Sequence, residues 1–84
     1  MNAVYIVKCG IWSDTAKQFM LTPHYYSSRK KANDVMARIL RDDKATDIVE
    51  AFKPDMYIAL LEATDYKNDK GEKARVMIEK ETVW

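Results

Sequence analysis

The sequence predicts an α+β fold in which a four-stranded antiparallel sheet packs on one long helix, in the order ββαββ with a possible short second helix. Three observations predict this class. One segment repeats its apolar residues with the 3.6-residue period of a helix, and β-rich segments occur in pairs on either side of it. The chain has 84 residues, which is enough for one core and too few for two. We therefore expect residues 1–84 to form a single domain.

The N-terminal pair of strands is expected to form an antiparallel hairpin. Residues 3–9 are rich in β-branched and aromatic side chains and alternate between two faces, as strands do. Gly10 is expected to end this strand. Residues 17–21 form the second strand, and Pro23 is expected to interrupt it because proline cannot donate to a ladder, although residues 24–26 can resume it.

The segment from about residue 29 to residue 43 is predicted to be the helix. Ser27 or Ser28 is positioned to cap it, because a serine hydroxyl accepts a hydrogen bond from a free backbone N–H at a helix start. The apolar residues recur at helical spacing and form one stripe that faces the sheet. They are Ala32, Val35, Met36, Ile39 and Leu40.

Residues 46–52 are predicted to form one or two helical turns. Asp47 and Glu50 have the spacing of a capping box, and the apolar residues around them can form a short face. The alternative is a short strand.

The C-terminal part is predicted to be a second hairpin. Residues 56–64 form an almost continuous apolar run, as in a central strand, and residues 66–72 form a polar turn. Residues 74–84 alternate, with Val76 and Ile78 on one face, as in a half-buried antiparallel strand. We therefore place the first strand of this pair in the centre of the sheet and the second nearer an edge.

The composition limits the classes of function. The chain has 14 basic and 13 acidic residues and a formal net charge of +1, which argues against a generally basic nucleic-acid-binding protein. One cysteine allows no intrachain disulfide and no cysteine–histidine zinc site. No apolar run approaches the roughly 20 residues that span a bilayer, and the first residues lack the pattern of a secretory signal. We expect a cytoplasmic protein with no cofactor and no membrane contact.

We expect no enzymatic activity. Cys9 and His24 are the only thiol and the only imidazole, and a nucleophilic pair would need them within hydrogen-bond reach. Cys9 lies in a predicted core strand, where cysteine acts as a small hydrophobic residue. His24 follows a proline and is expected at the surface. Two glycines are too few for a glycine-rich phosphate loop.

The strongest local charge lies at the predicted helix start, where Arg29, Lys30 and Lys31 follow one another. Free backbone N–H groups and the helix dipole favour anions at a helix N-terminus. These cations would strengthen such a site for a phosphate, an acidic partner or a nucleic-acid backbone. His24, Tyr25 and Tyr26 would add stacking surface. In the alternative, the basic side chains extend into water and have no binding role.

Trp12 and Trp84 are candidate interface residues. Trp12 lies in a predicted turn at residues 12–15, and Trp84 is the final residue of the sequence. Tryptophan is frequent among the residues that dominate binding energy at interfaces. Both are therefore assigned to a homodimer or partner surface, which could include an unpaired sheet edge. In the alternative, they cover the two ends of the core.

Residues 4–7, 12–14 and 26–32, with the sequences VYIV, WSD and YSSRKKA, resemble small proteins of phages and bacterial genomes. In those proteins an opening strand is followed by a hairpin, an aromatic–serine step and a helix with an early alanine. The resemblance covers the N-terminal half of the chain. It implies an accessory role, such as binding and inhibition of a host protein, and no role for an individual residue.

Together these observations predict a non-enzymatic protein-binding module that forms a homodimer or a complex with another protein. Its contacts are the exposed aromatic residues and the basic turn, which is formed by Arg29, Lys30 and Lys31. The alternative function is binding of a nucleic-acid or phosphate backbone through the basic turn and the neighbouring tyrosines.

Overall fold

This computed structural model describes residues 2–51 and 59–83. The strands within these residues form one antiparallel sheet. The elements are β1 (Asn2–Ser13), β2 (Gln18–Tyr26), α1 (Arg29–Asp42), β3 (Thr46–Glu50), β4 (Leu60–Lys67) and β5 (Lys73–Val83). The described part of the sheet has five strands in the order β2-β1-β5-β4-β3, and α1 connects the two edge strands. The predicted class, a four-stranded sheet packed on one long helix, is therefore wrong, because the sheet has a fifth strand and makes up most of the described residues, beside one short helix.

The additional strand is β3, in the segment where the sequence predicts helical turns. Asp47 cannot cap a helix there, because its φ of 51° is in the left-handed region whereas an N-cap residue is extended. The register with β4 shifts between Thr46 and Val49, which indicates a bulge. Beyond the strand, the Ala51 N–H still donates to the Ala63 carbonyl of β4 at 2.9 Å. A partner distant in sequence thus decides the conformation of this segment.

The centre of the sheet is β5, not the strand that the sequence places there. β5 pairs with β1 on one side and with β4 on the other. β4 begins at Leu60 and is second from an edge, and residues 56–58 of the predicted central strand lie outside the described residues. β5 alternates although it is central, because the core covers one of its faces and ion pairs occupy the other.

β1 and β2 form the predicted hairpin, but both strands are longer than expected. β1 runs through Gly10, where an added β-carbon would collide with the carbonyl oxygen of Met20. Glycine therefore permits the two strands to approach closely and does not end β1. β2 runs through Pro23, which lies opposite Lys8. Proline is tolerated because β2 is an edge strand, where a missing N–H can face solvent.

Helix α1 begins where the sequence predicts. Ser28 is the N-cap, and its hydroxyl accepts a hydrogen bond of 3.1 Å from the Lys31 backbone N–H. All members of the predicted apolar stripe pack into or against the core. The sheet contributes the rest of the buried cluster, which is Val7, Tyr66, Ala74, Val76 and Ile78.

Candidate functional site

The open face is the side of the sheet opposite α1. It presents alternate residues of each strand, and no helix covers it in the part of the chain that the structure describes. Ile6 and Ala63 are buried on this face, and Met77 is half-buried. Charged side chains surround them. The open face therefore combines a small apolar area with charged side chains around it.

Trp12 and Phe19 lie opposite each other at one end of the open face, on β1 and β2. Their rings make an edge-to-face contact with centroids 5.2 Å apart and an interplanar angle of 76°, a favourable aromatic geometry. The Arg75 guanidinium lies 4.3 Å from the Phe19 ring centre, within cation–π range. The Trp12 indole N–H donates to Asp14 at 3.0 Å. Contacts within the chain therefore orient both rings.

A groove of about 410 Å³, the aromatic groove, starts at this ring pair and reaches across the end of the sheet to β3. Trp12, Phe19 and Val49 give it an apolar lining, and Lys67 and Lys73 add positive charge. Val49 is 61% exposed. The volume is in the range of sites that bind a ligand or accept a side chain of a partner.

Cross-strand ion pairs occupy the middle of the open face. Arg75 donates two hydrogen bonds to Asp65, at 2.6 and 3.0 Å, and this bonding raises the pKa of Arg75 above its ordinary value. The Lys8 amine lies 3.0 Å from a Glu79 carboxylate oxygen. Since each of these cations has a carboxylate partner, this region carries little uncompensated charge.

The basic turn is exposed at the start of α1, and two of its cations lie close to carboxylates. Arg29 is 3.6 Å from Glu62, and Lys30 is 3.1 Å from Asp34. Lys31 is exposed and has no ion-pair partner among the described residues. Compensation within the chain reduces the positive potential that an anion would experience at this turn.

His24 and Tyr25 point to opposite faces of the sheet, because they are successive residues of β2. Both are exposed, and Tyr25 lies on the open face with 63% of its surface accessible. The next residue, Tyr26, packs against the core. The two adjacent tyrosines therefore lie on opposite faces of the sheet, Tyr26 against the core and Tyr25 exposed.

Of the two tryptophans, Trp12 lies in β1, because the turn begins two residues later at Asp14. Trp12 is half-buried, so part of its ring is accessible in the aromatic groove. Trp84 lies outside the described residues. Phe19, Arg75 and Val49 are members of the site that the sequence pattern does not single out. The alternation of each strand is visible in the sequence, but the strand order that brings them together is not.

Cys9 does not have the environment of an activated nucleophile. It is half-buried and packs against the core. Burial raises the pKa of its thiol, and the charge of Asp43 adds to this effect. A raised pKa keeps the thiol protonated, whereas a nucleophilic cysteine needs a lowered one.

No family model, curated protein or solved structure matched the chain in comparisons with known proteins. The resemblance to small phage and bacterial proteins therefore stays a prediction. Across residues 2–51 and 59–83, no helix has the length and hydropathy needed to cross a membrane. The same residues contain no group of three or more His, Cys, Asp or Glu side chains arranged to hold a metal ion.

Proposed function

We propose that the chain is a non-enzymatic binding module whose open face receives a protein partner. The observation that carries this proposal is the aromatic groove, in which Trp12 and Phe19 form an apolar surface beside charged side chains. Protein interfaces commonly combine an aromatic centre with a polar rim. Tryptophan and arginine are also the residue types that most often dominate binding energy.

The charges beside the groove favour a protein over a nucleic acid. Lys67 lies 3.6 Å from Asp47, and Arg75 is paired with Asp65. Among the described residues, Lys73 is the groove-lining cation without an ion pair. Nucleic-acid binding depends on several cations that neutralise phosphates. A protein partner needs only charges that complement those of the groove.

The biological role in this proposal is modulation of another protein by occupation of its surface. The phage-encoded origin of such a modulator rests on the resemblance in the N-terminal half of the chain. The proposed compartment is the cytoplasm, because a single cysteine suits a reducing environment.

Affinity capture with matched variants tests the groove. Trp12→Ala removes its aromatic wall, and Val49→Asp places a charge in it at a position that is 61% exposed, so that the core is unchanged. Lys31→Glu, on the opposite side of the molecule, is the control. A captured protein is then purified and titrated against each variant by calorimetry, and urea unfolding of each variant separates lost binding from lost folding.

We expect a partner that binds the unchanged chain and Lys31→Glu equally and loses at least roughly tenfold in affinity with either groove variant. A partner that binds every variant with the same affinity would show that the aromatic groove is not its site.

A further inference from the structure

Both edges of the sheet are protected against extension by another strand. Edge strand β2 contains Pro23, which lacks the N–H that an added strand would need. Edge strand β3 has only 5 residues and a register shift beside Asp47, whose φ is 51°. An added strand is poorly accommodated at either edge, so the open face is the better surface for association.

The open-face residues of β5 form an antisymmetric row of charges. This strand is the central one, and its alternate residues on this face are Lys73, Arg75, Met77, Glu79 and Glu81. Two cations precede the methionine, and two carboxylates follow it at the same spacing. Consider a two-fold axis that lies between two facing sheets, over Met77, and runs across the strand direction. A half-turn about this axis places each cation of one row opposite a carboxylate of the other.

We infer that this row is the contact surface for a second copy of the chain. The inference rests on the proposed function, because it names the protein that the open face receives. In a dimer with two-fold symmetry, each residue of the row faces the residue equally distant from Met77 on the other copy. Lys73 then faces Glu81 of the second copy, and Arg75 faces Glu79. The two Met77 side chains meet at the axis, where flexible thioethers adapt to each other.

The charged side chains of the row are accessible for these contacts. Lys73 and Glu81 are exposed and have no ion pair among the described residues. Arg75 and Glu79 are half-buried and already paired within the chain. These intrachain pairs can persist, since a carboxylate has enough lone pairs to accept from two cations at once.

One like-charge contact accompanies this arrangement. Lys8 lies beside Met77 on the neighbouring strand, so the half-turn brings the two Lys8 side chains towards each other. Each amine is 3.0 Å from a Glu79 carboxylate oxygen of its own chain. The repulsion across the axis is reduced accordingly.

The open face is large enough for a specific dimer. The five strands lie about 4.8 Å apart and have a mean length of about nine residues, so they cover roughly 24 by 30 Å, or about 720 Å². This area is close to the about 800 Å² that each partner contributes to a standard interface. Packed sheets lie about 10 Å apart, a distance that the long side chains of the row can bridge from both sides.

Charge reversal at the exposed ends of the row tests the arrangement. Lys73→Glu places a carboxylate opposite Glu81 of the other copy, and Glu81→Lys places a cation opposite Lys73. Each change occurs twice in a symmetric dimer, so either one should raise the dimer dissociation constant at least roughly tenfold in sedimentation equilibrium. The double variant restores opposite charges and should return the dissociation constant to within about threefold of its original value.

Lys31→Glu makes the same change of charge as Lys73→Glu on the opposite side of the molecule and should leave the dissociation constant unchanged. The inference is overturned if the unchanged chain is monomeric at high micromolar concentration, or if the double variant associates as weakly as the single ones. A monomer that still binds another protein through Trp12 would leave the proposed function standing. A dimer without rescue by the double variant would place self-association on another surface.

Discussion

Tyr66 is the residue that joins the two layers of the molecule. Its ring is 4% exposed, in the core below α1, and its hydroxyl donates a hydrogen bond of 2.6 Å to Asp43. Asp43 is the C-cap residue of the helix. Burial, this hydrogen bond and the carboxylate charge all raise the pKa of Tyr66. One contact thus fixes the end of the helix to the sheet and keeps the phenol protonated.

Tyr66→Phe should lower the free energy of unfolding by about 2 kcal/mol, because it removes a hydrogen bond to a charged group. Urea titration at neutral pH measures this change. Tyr25→Phe is the control, since it removes the hydroxyl of a residue that is 63% exposed and should have little effect. Equal effects of the two substitutions would show that the contact with Asp43 contributes little in solution.

The stability difference between the unchanged protein and Tyr66→Phe should decrease at alkaline pH. The unfolded chain releases the phenol proton at about pH 10, whereas the folded chain retains it because the pKa of Tyr66 is raised. The contribution of Tyr66 is therefore complete below about pH 10 and is lost progressively as the pH rises above that value. Urea titrations of both proteins below and above this pH measure the difference, and a constant value would contradict the argument.

At the scale of the elements, the first turn of α1 combines a good cap with an unfavourable charge distribution. Ser28 satisfies the Lys31 N–H, but the turn has no acidic residue and begins with three cations. Lys31 occupies the third helical position, where glutamate would complete a capping box with the serine. The helix therefore depends on packing of its apolar stripe, because the charges at its start oppose its dipole.

Opposite effects on stability are expected from two substitutions in this turn. Ser28→Ala should lower the free energy of unfolding by about 1 kcal/mol through loss of the cap. Lys31→Glu should raise it by about 0.5 kcal/mol through a better interaction with the dipole. Thermal unfolding measures both, and added salt should diminish only the second effect. A destabilising Lys31→Glu would mean that the basic side chain contributes a favourable contact.

Patterns among residues close in sequence predict the helix and both hairpins. The serine cap and the apolar stripe are local features, and the structure places them as expected. Local patterns do not predict β3, because it forms by pairing with β4, which begins only at Leu60. Local patterns also do not predict the central position of β5. Its alternation is usual for a strand near an edge, but β1, from the other end of the chain, pairs with it and makes it central.

The candidate site is predictable from sequence only in part. Trp12 is prominent by residue type alone. The cation–π contact of Arg75 with Phe19, however, joins β5 to β2 across β1. No local pattern contains such a contact. The charge row of β5 can be read from the sequence once its alternation is recognised, but its position at the centre of an open face follows from the strand order.

At the scale of the whole molecule, the edges of the described sheet are where the backbone offers unpaired groups to another strand. β2 is an edge strand of 9 residues, which is long enough to pair with another chain. Met20 and Tyr25 on this strand are 53% and 63% exposed. Pro23, near the middle of the strand, is therefore the feature that we expect to prevent pairing.

Pro23→Val should retain the fold and allow association through β2. Valine supplies the missing N–H and favours the strand conformation. Light scattering at increasing concentration should show growth of oligomers for this variant. His24→Val adds the same side chain at the next position, where a backbone donor already exists, and serves as the control. Equal association of the two variants would assign the effect to hydrophobicity and not to the restored donor.

The central position of β5 also sets an order of events during protein synthesis. Of the described strands, the ribosome delivers β1 first and β5 last. Because β5 lies between β1 and β4, both strands lack this neighbour until β5 has emerged. The first hairpin and the helix can form earlier, but Val76 and Ile78 are then missing from the core. An edge that the finished protein hides is thus open until β5 has been added.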